Sequence, residues 1–272
     1  MKFEASIEPH KLHDALEALS AVVDEAKFTI SEKGITSHMR DPGNVLEVLL
    51  KIKKEAFQSW DYEGAPQEIA LVGLIELVDK LELLLKIIAE EKTQEFYKLS
   101  DKKKKANHYT TNSLALAIEG ATNTLLLSRG DFTYRKYLTD PAGIRATPEI
   151  SITLPIEVRV EAEKLVNALR LVEQESDYPF FDIKEGELII SSGITKEDGD
   201  PTTKYKIQPL NVVSAEVHSM YSMDHLSDLK KQITKANVVA LYMAKDFPIR
   251  MEYSLYSGDI EIEYMLAPRV ET

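Results

Sequence analysis

His10 and His13 stand three residues apart, one helical turn, the spacing at which two imidazoles could share a metal ion. No carboxylate pattern around them suggests a ligand set, so they read as solvated or DNA-facing histidines and no metal is expected. Asp198-Gly199-Asp200 is too short for a calcium loop and reads as a surface turn. The chain has no glycine-rich phosphate loop, no Gly-x-Gly-x-x-Gly and no cysteine, which removes thiolate chemistry, disulfides and Cys/His metal sites. Acidic residues are so common, 45 Asp and Glu against 33 Lys and Arg, that no pair stands out as general acid and base. No catalytic residue and no cofactor is therefore expected. The cations offer a different chemistry. Lys11, Lys80, Lys86, Lys164, Arg170, Lys230, Lys231 and Lys235 fall in helical segments away from the apolar stripe. Long flexible cations in such places can meet phosphates without reading sequence. Lys102-Lys103-Lys104-Lys105 is a dense basic run, read as a mobile solvated loop, with a DNA or partner contact as the alternative. A tail of another character closes the chain, where Ile260, Ile262, Tyr264 and Leu266 alternate straight into Ala267-Pro268-Arg269. Proline cannot donate to a ladder, so the strand must stop and leave a short, rigid, partly apolar tail.

The elements that position these residues follow from periodicity. Four segments have helical spacing: about Pro9 to Glu25, Gly73 to Glu91, Val160 to Gln174 and Met223 to Lys235. Pro9 suits a first turn, and Ser222 or Asp224 suits the start of the fourth helix. Between them the pattern is strand-like, as in Ile150 to Val158, Ile249 to Leu255 and Glu95 to Leu99. Lys33-Gly34 and Glu185-Gly186 read as hairpin turns. The order repeats. Helix one is followed by Phe28-Thr29-Ile30-Ser31-Glu32 and a glycine turn, and helix three by Phe181-Asp182-Ile183-Lys184-Glu185 and a glycine turn. Leu74, Leu77 and Leu81 recur as Leu226, Leu229 and Ile233. The chain therefore reads as a duplicated α+β fold, each half with two helices over antiparallel sheet.

At 272 residues there is room for two such domains. The net charge of −12 argues against nucleic acid unless bases and acids lie on different surfaces. No apolar run approaches the ~18 residues of a membrane span, and Met1-Lys2-Phe3-Glu4-Ala5 has no export pattern, so the expected compartment is the cytoplasm.

The order of elements, the segment Met39-Arg40-Asp41-Pro42-Gly43-Asn44-Val45, the segment Ser219 to Leu226, Phe247 to Tyr253 and the Leu266-Ala267-Pro268-Arg269 ending together resemble the DNA sliding clamps of archaea and eukaryotes, the proliferating cell nuclear antigen family. The resemblance covers most of the chain. It implies clamp domains at 1–130 and 149–272 joined by a connector at 131–148, and a trimeric ring whose helices line the inner wall. It implies duplex DNA through the ring, and a polymerase, a clamp loader and other motif-bearing proteins docked on it. Location would be cytoplasmic with the nucleoid, or nuclear in a eukaryote. The cations named above would face DNA. Partners would dock on Met39, Arg40, Val45, Leu46, Leu138, Ile144, Pro248, Met265, Ala267 and Pro268. Sheet edges at Leu114, Leu116 and Ile118, and at Phe180, Phe181 and Ile183, would join subunits.

Two departures from the family stand out. Arg40 replaces an apolar side chain, and the connector Tyr137 to Arg145 lacks an acidic cluster. The first two helices also carry His10, His13, Asp14 and Glu17, and Glu76, Asp79 and Glu82, where a basic wall is usual. Two competing readings remain: a specialised subunit of a mixed or checkpoint-like ring, and a two-domain α+β enzyme with unrecognised catalytic groups.

Overall fold

A computed structural model describes residues 3–98, 113–145, 147–148, 152–193 and 201–269. The lysine run at 102–105, Ile150 and Asp198-Gly199-Asp200 lie outside them. The chain divides into two compact units, one from 1–37 and 51–145, the other from 38–50 and 146–272.

In the first unit β1 (Glu4–Ile7) leads into α1 (Pro9–Ser20). Pro9 sits in the first turn, where its missing N–H costs nothing, and Leu12, Ala15, Leu16 and Leu19 bury the inner stripe. The helix stops short of the expected Glu25 because Asp24 has another task. Its backbone oxygen accepts the N–H groups of Gly73 and Leu74, and its carboxylate accepts Ile75 N–H at 2.9 Å. Asp24 thus caps α2 (Leu74–Lys98) from a distant part of the chain.

That second helix runs on through residues expected as a strand, Glu95 onward. Thr93 Oγ1 donates to Ala89 O, and Arg129 donates to Glu91 at 3.0 Å, so the helix is fastened beyond residue 90. A five-residue alternation cannot by itself tell strand from helix.

Strands β2 (Glu25–Ser31), β3 (Gly34–Arg40), β4 (Leu46–Lys53), β5 (Phe57–Asp61) and β6 (Gln67–Val72) lie between the helices, and β7 (Leu114–Glu119), β8 (Thr124–Arg129) and β9 (Phe132–Tyr137) follow. One sheet has the order β5-β1-β7-β8-β9, and β2 lies between β3 and β6. Gly34 turns the β2–β3 hairpin at φ 127°, where a Cβ would stand 2.1 Å from Ile52 O.

The second half repeats the plan: β10 (Ile156–Glu161), α3 (Ala162–Val172), β11 (Phe180–Lys184), β12 (Glu187–Ser191), β13 (Lys204–Ile207), β14 (Val217–Met220), α4 (Met223–Ile233), β15 (Val238–Met243), β16 (Ile249–Leu255) and β17 (Ile260–Leu266). The repeat extends to detail. β1 lies between β5 and β7; β10 pairs with β15 and accepts Leu210 N–H at Arg159 O, 2.7 Å, on its other side. The Glu185-Gly186 turn has both residues at positive φ, the type I′ pattern of a two-residue hairpin. β10 starts at Ile156 and not at Ile152, because Pro155 has no N–H for a ladder. Ser222 stands at the start of α4, but its side chain makes no cap bond.

The sheet orders correct one expectation. Leu114, Leu116 and Ile118 lie on β7, which is paired on both sides, by β1 and β8. Phe180, Phe181 and Ile183 lie on β11, paired by β12 and β14. Neither strand is an edge. The edges are β5 and β9 in the five-stranded sheet, and β13 and β14 in the four-stranded sheet β13-β12-β11-β14.

Candidate docking tail and helix faces

The second unit builds the tail's surroundings. β17 buries Tyr264 and Leu266 and turns Met265 outward, and Ala267, just past its end, is partly exposed. Ala267 N–H then donates to Val45 O at 2.9 Å, and Arg269 N–H to Met220 O at 2.7 Å. Pro268 lies between these two bonds. The Arg269 guanidinium stands 5.0 Å over the Tyr178 ring.

Each anchor is itself fixed. The Asp41 carboxylate accepts Gly43 N–H at 3.0 Å and the N–H groups of Val45 and Leu46 at 2.7 Å each. This locks the turn that presents Val45 O. Tyr221, fully buried, donates its hydroxyl to Phe247 O at 3.0 Å, and Ser219 accepts Asp246 N–H at 3.0 Å. The loop bearing Pro248 is thereby held against β14. Burial pushes the Tyr221 hydroxyl up to about 12, so it stays a donor at any physiological pH.

The expected docking residues divide. Arg40, Val45, Pro248, Met265, Ala267 and Pro268 are partly exposed in the second unit. Met39 and Leu46 are buried, because strand alternation points them inward, so they support the surface without lining it. Leu138 and Ile144 belong to the first unit and are buried there. Sequence reading missed four neighbours. Phe247 and Tyr178, 48% and 42% exposed, were large aromatics without a pattern. Glu47 and His38 bond Arg40's hairpin together: His38 Nε2 stands 2.5 Å from Glu47 Oε1, and Arg40 donates to Glu47 Oε2 at 2.6 Å.

The helix cations are mostly engaged. Lys230 bonds Glu173, which also takes the Ser227 hydroxyl; together they hold the Glu173 carboxyl below the usual glutamate range. Lys86 pairs with Glu82 at 2.8 Å, Lys164 with Glu161 at 2.9 Å and Lys231 with Asp228 at 3.3 Å. Lys80 lies near Glu76. Lys11 and Lys235 also have partners. Arg170 is exposed with no ion pair among the described residues. Seven of these eight cations therefore have a partner close by. His10 turns to Glu8 at 3.4 Å, while His13 Nδ1 lies 3.1 Å from Asp14 and 3.8 Å from Glu17, so the two imidazoles do not converge. His13, Asp14 and Glu17 each bring one ligand atom to within 4.8 Å of the others, a grouping of carboxylates around His13 that the sequence reading did not expect.

No family model matches the sequence. The DNA polymerase sliding clamp of Methanothrix thermoacetophila is 32% identical over 269 residues, 98% of each chain, and that of Methanococcoides burtonii 31% over 271 residues, 99% of each. The chain belongs to the DNA polymerase sliding clamp family. Solved structures share the clamp fold over nearly the whole length. The A. fulgidus PCNA with the C-terminal region of FEN-1 bound matches at TM-score 0.79 and 23% identity, covering 99% of each chain. The Entamoeba histolytica proliferating cellular nuclear antigen matches at 0.76 and 17%, covering 98% of this chain and 99% of that one. The duplicated α+β architecture read from the sequence is therefore that of a sliding clamp. Among the described residues no helix is long and apolar enough to cross a membrane.

Proposed function

We propose that this chain is a replication clamp that closes with two further copies into a ring around duplex DNA and tethers a polymerase, a clamp loader and other replication and repair proteins. Its work is mechanical and needs no cofactor. In this reading residues 1–130 and 149–272 are the clamp domains, 131–148 joins them, and the protein acts in the cytoplasm at the nucleoid. The observation that carries the reading is the C-terminal tail, fastened at Ala267 to Val45 and at Arg269 to Met220. This gives a rigid apolar step bordered by Met265, Val45 and Pro248, suited to short partner segments with aliphatic and aromatic anchors.

The internal repeat supports the ring. Within the second unit β17 borders β4. The repeat equates β17 with β9 and β4 with β13, and both of those strands are sheet edges. The same pairing made between copies is head-to-tail and closes by rotation. A mixed ring is the second reading, favoured by the charge of those edges. Arg135 on β9 and Lys204 on β13 are exposed cations, so an acidic sister edge would suit either better.

The test is polymerase processivity on primed circular DNA with a cognate loader. Longer products are expected. No stimulation with any cognate polymerase would overturn the reading, and a strict monomer that copurifies with sister subunits would select the mixed ring.

A further inference from the structure

The hairpin that presents Val45 also carries a charge cluster. His38 and Arg40 lie two residues apart on β3 and share a face; Glu47 lies two residues beyond Val45 and shares its face. Both oxygens of Glu47 are engaged. Oε1 meets His38 at 2.5 Å, and Oε2 accepts Arg40 Nε at 3.1 Å and one terminal nitrogen at 2.6 Å. Glu47 is only 8% exposed, so the acid is covered while the side chains of Arg40 and His38 reach solvent. The other terminal nitrogen of Arg40 has no partner among the described residues. Its N–H donors are fixed in direction by the bonds along the other edge of the planar group.

Resting on the docking reading above, we propose that Arg40, oriented by Glu47, is a specificity determinant that selects partner segments carrying a carboxylate beside their apolar anchors. A guanidinium already immobilised loses little freedom on meeting an acid, and its planar donors match a carboxylate. A segment that lays an aliphatic group over it must strip water from the remaining donors and returns no hydrogen bond. Glu47 is the positioning residue, because without it the arginine is one rotamer among many.

The test is fluorescence anisotropy with synthetic peptides that share one aliphatic and two aromatic anchors. In one series Asp is walked through the non-anchor positions; in the control series Asn takes its place. The expected result is a position at which Asp binds about tenfold tighter than Asn to the unaltered protein. Arg40→Met alone would leave the covered Glu47 carboxylate with only His38, so the decisive variant is Arg40→Met/Glu47→Leu, which removes both charges. Whatever its affinity for the Asn series, it should discriminate Asp from Asn by less than about twofold, and retained tenfold discrimination would overturn the inference. Equal binding of the two series to the unaltered protein would overturn this inference and leave docking intact. Failure of every peptide to bind folded protein would overturn the docking reading, and this inference with it.

Discussion

The Lys230 ammonium on α4 is bonded to the Glu173 carboxylate just beyond the end of α3, and the lysine side chain is only 12% exposed. A residue that looked from its spacing like a free cation is a tie between two helices.

Lys230→Met should therefore act on stability, lowering it by about 1 kcal/mol or less once solvent screening of the half-exposed glutamate is counted. Arg170→Ala, which breaks no ion pair among the described residues, should leave the urea midpoint unchanged. It should instead reduce the slope of log affinity for duplex DNA against log salt by about one. Arg170→Ala with an unaltered salt slope would remove it from the DNA-facing surface.

The same pair gives a pH dependence. Glu173 is held below the ordinary glutamate value by Lys230 first and Ser227 second. The native state then binds fewer protons than the unfolded chain between the two values. The stabilisation is fully present above the unfolded value, about 4.3, and is lost as pH falls through the lower native one. Glu173→Gln should be less stable than the unaltered protein at pH 7, with the gap closing as urea unfolding is followed into acid. A gap that widened in acid would contradict the assignment.

Arg40 and Glu47 make a sharper stability case, since both are largely covered. Arg40→Met should cost about 1 to 3 kcal/mol, because it leaves the covered Glu47 carboxylate with His38 alone. Adding Glu47→Leu should recover most of that loss in chemical denaturation. A double variant as unstable as the single one would mean the hairpin needs the pair for its shape.

The ring edges make a prediction about salt. Arg135 and Lys204 carry like charge on the strands proposed to meet between copies. Trimer measured by light scattering should increase as ionic strength rises from about 0.05 to 0.5 M, because the Debye length shrinks severalfold. Arg135→Glu should give the same gain at low salt. Dissociation on adding salt would argue for attraction at that contact.

Much of this was legible in the chain because period and burial coincide in it. Ile249 to Leu255 and Ile260 to Leu266 alternate in sequence and alternate in burial, and α1, α3 and α4 bury the stripes their spacing marks. The edges were not legible. Leu114, Leu116 and Ile118 have the pattern of a half-buried strand, which an inner strand and an edge strand share; which it is depends on neighbours far away in sequence. Glu47 was not legible either. A glutamate in a strand looks solvated, and only the hairpin brings His38 and Arg40 across to cover it. Arg40 was visible as an oddity; its partner explains how the fold tolerates it.

The pairing of the helix cations bears on motion as well as on affinity. Friction along DNA comes from contacts that must break and re-form at every base-pair step, each exchanging a lysine for condensed counterions. A ring in which Lys86, Lys164, Lys230 and Lys231 faced DNA with Glu82, Glu161, Glu173 and Asp228 beside them would make fewer such contacts. It would work as a plain bearing, with drag set by water and by the cargo it carries, and its diffusion along the duplex would change little with salt.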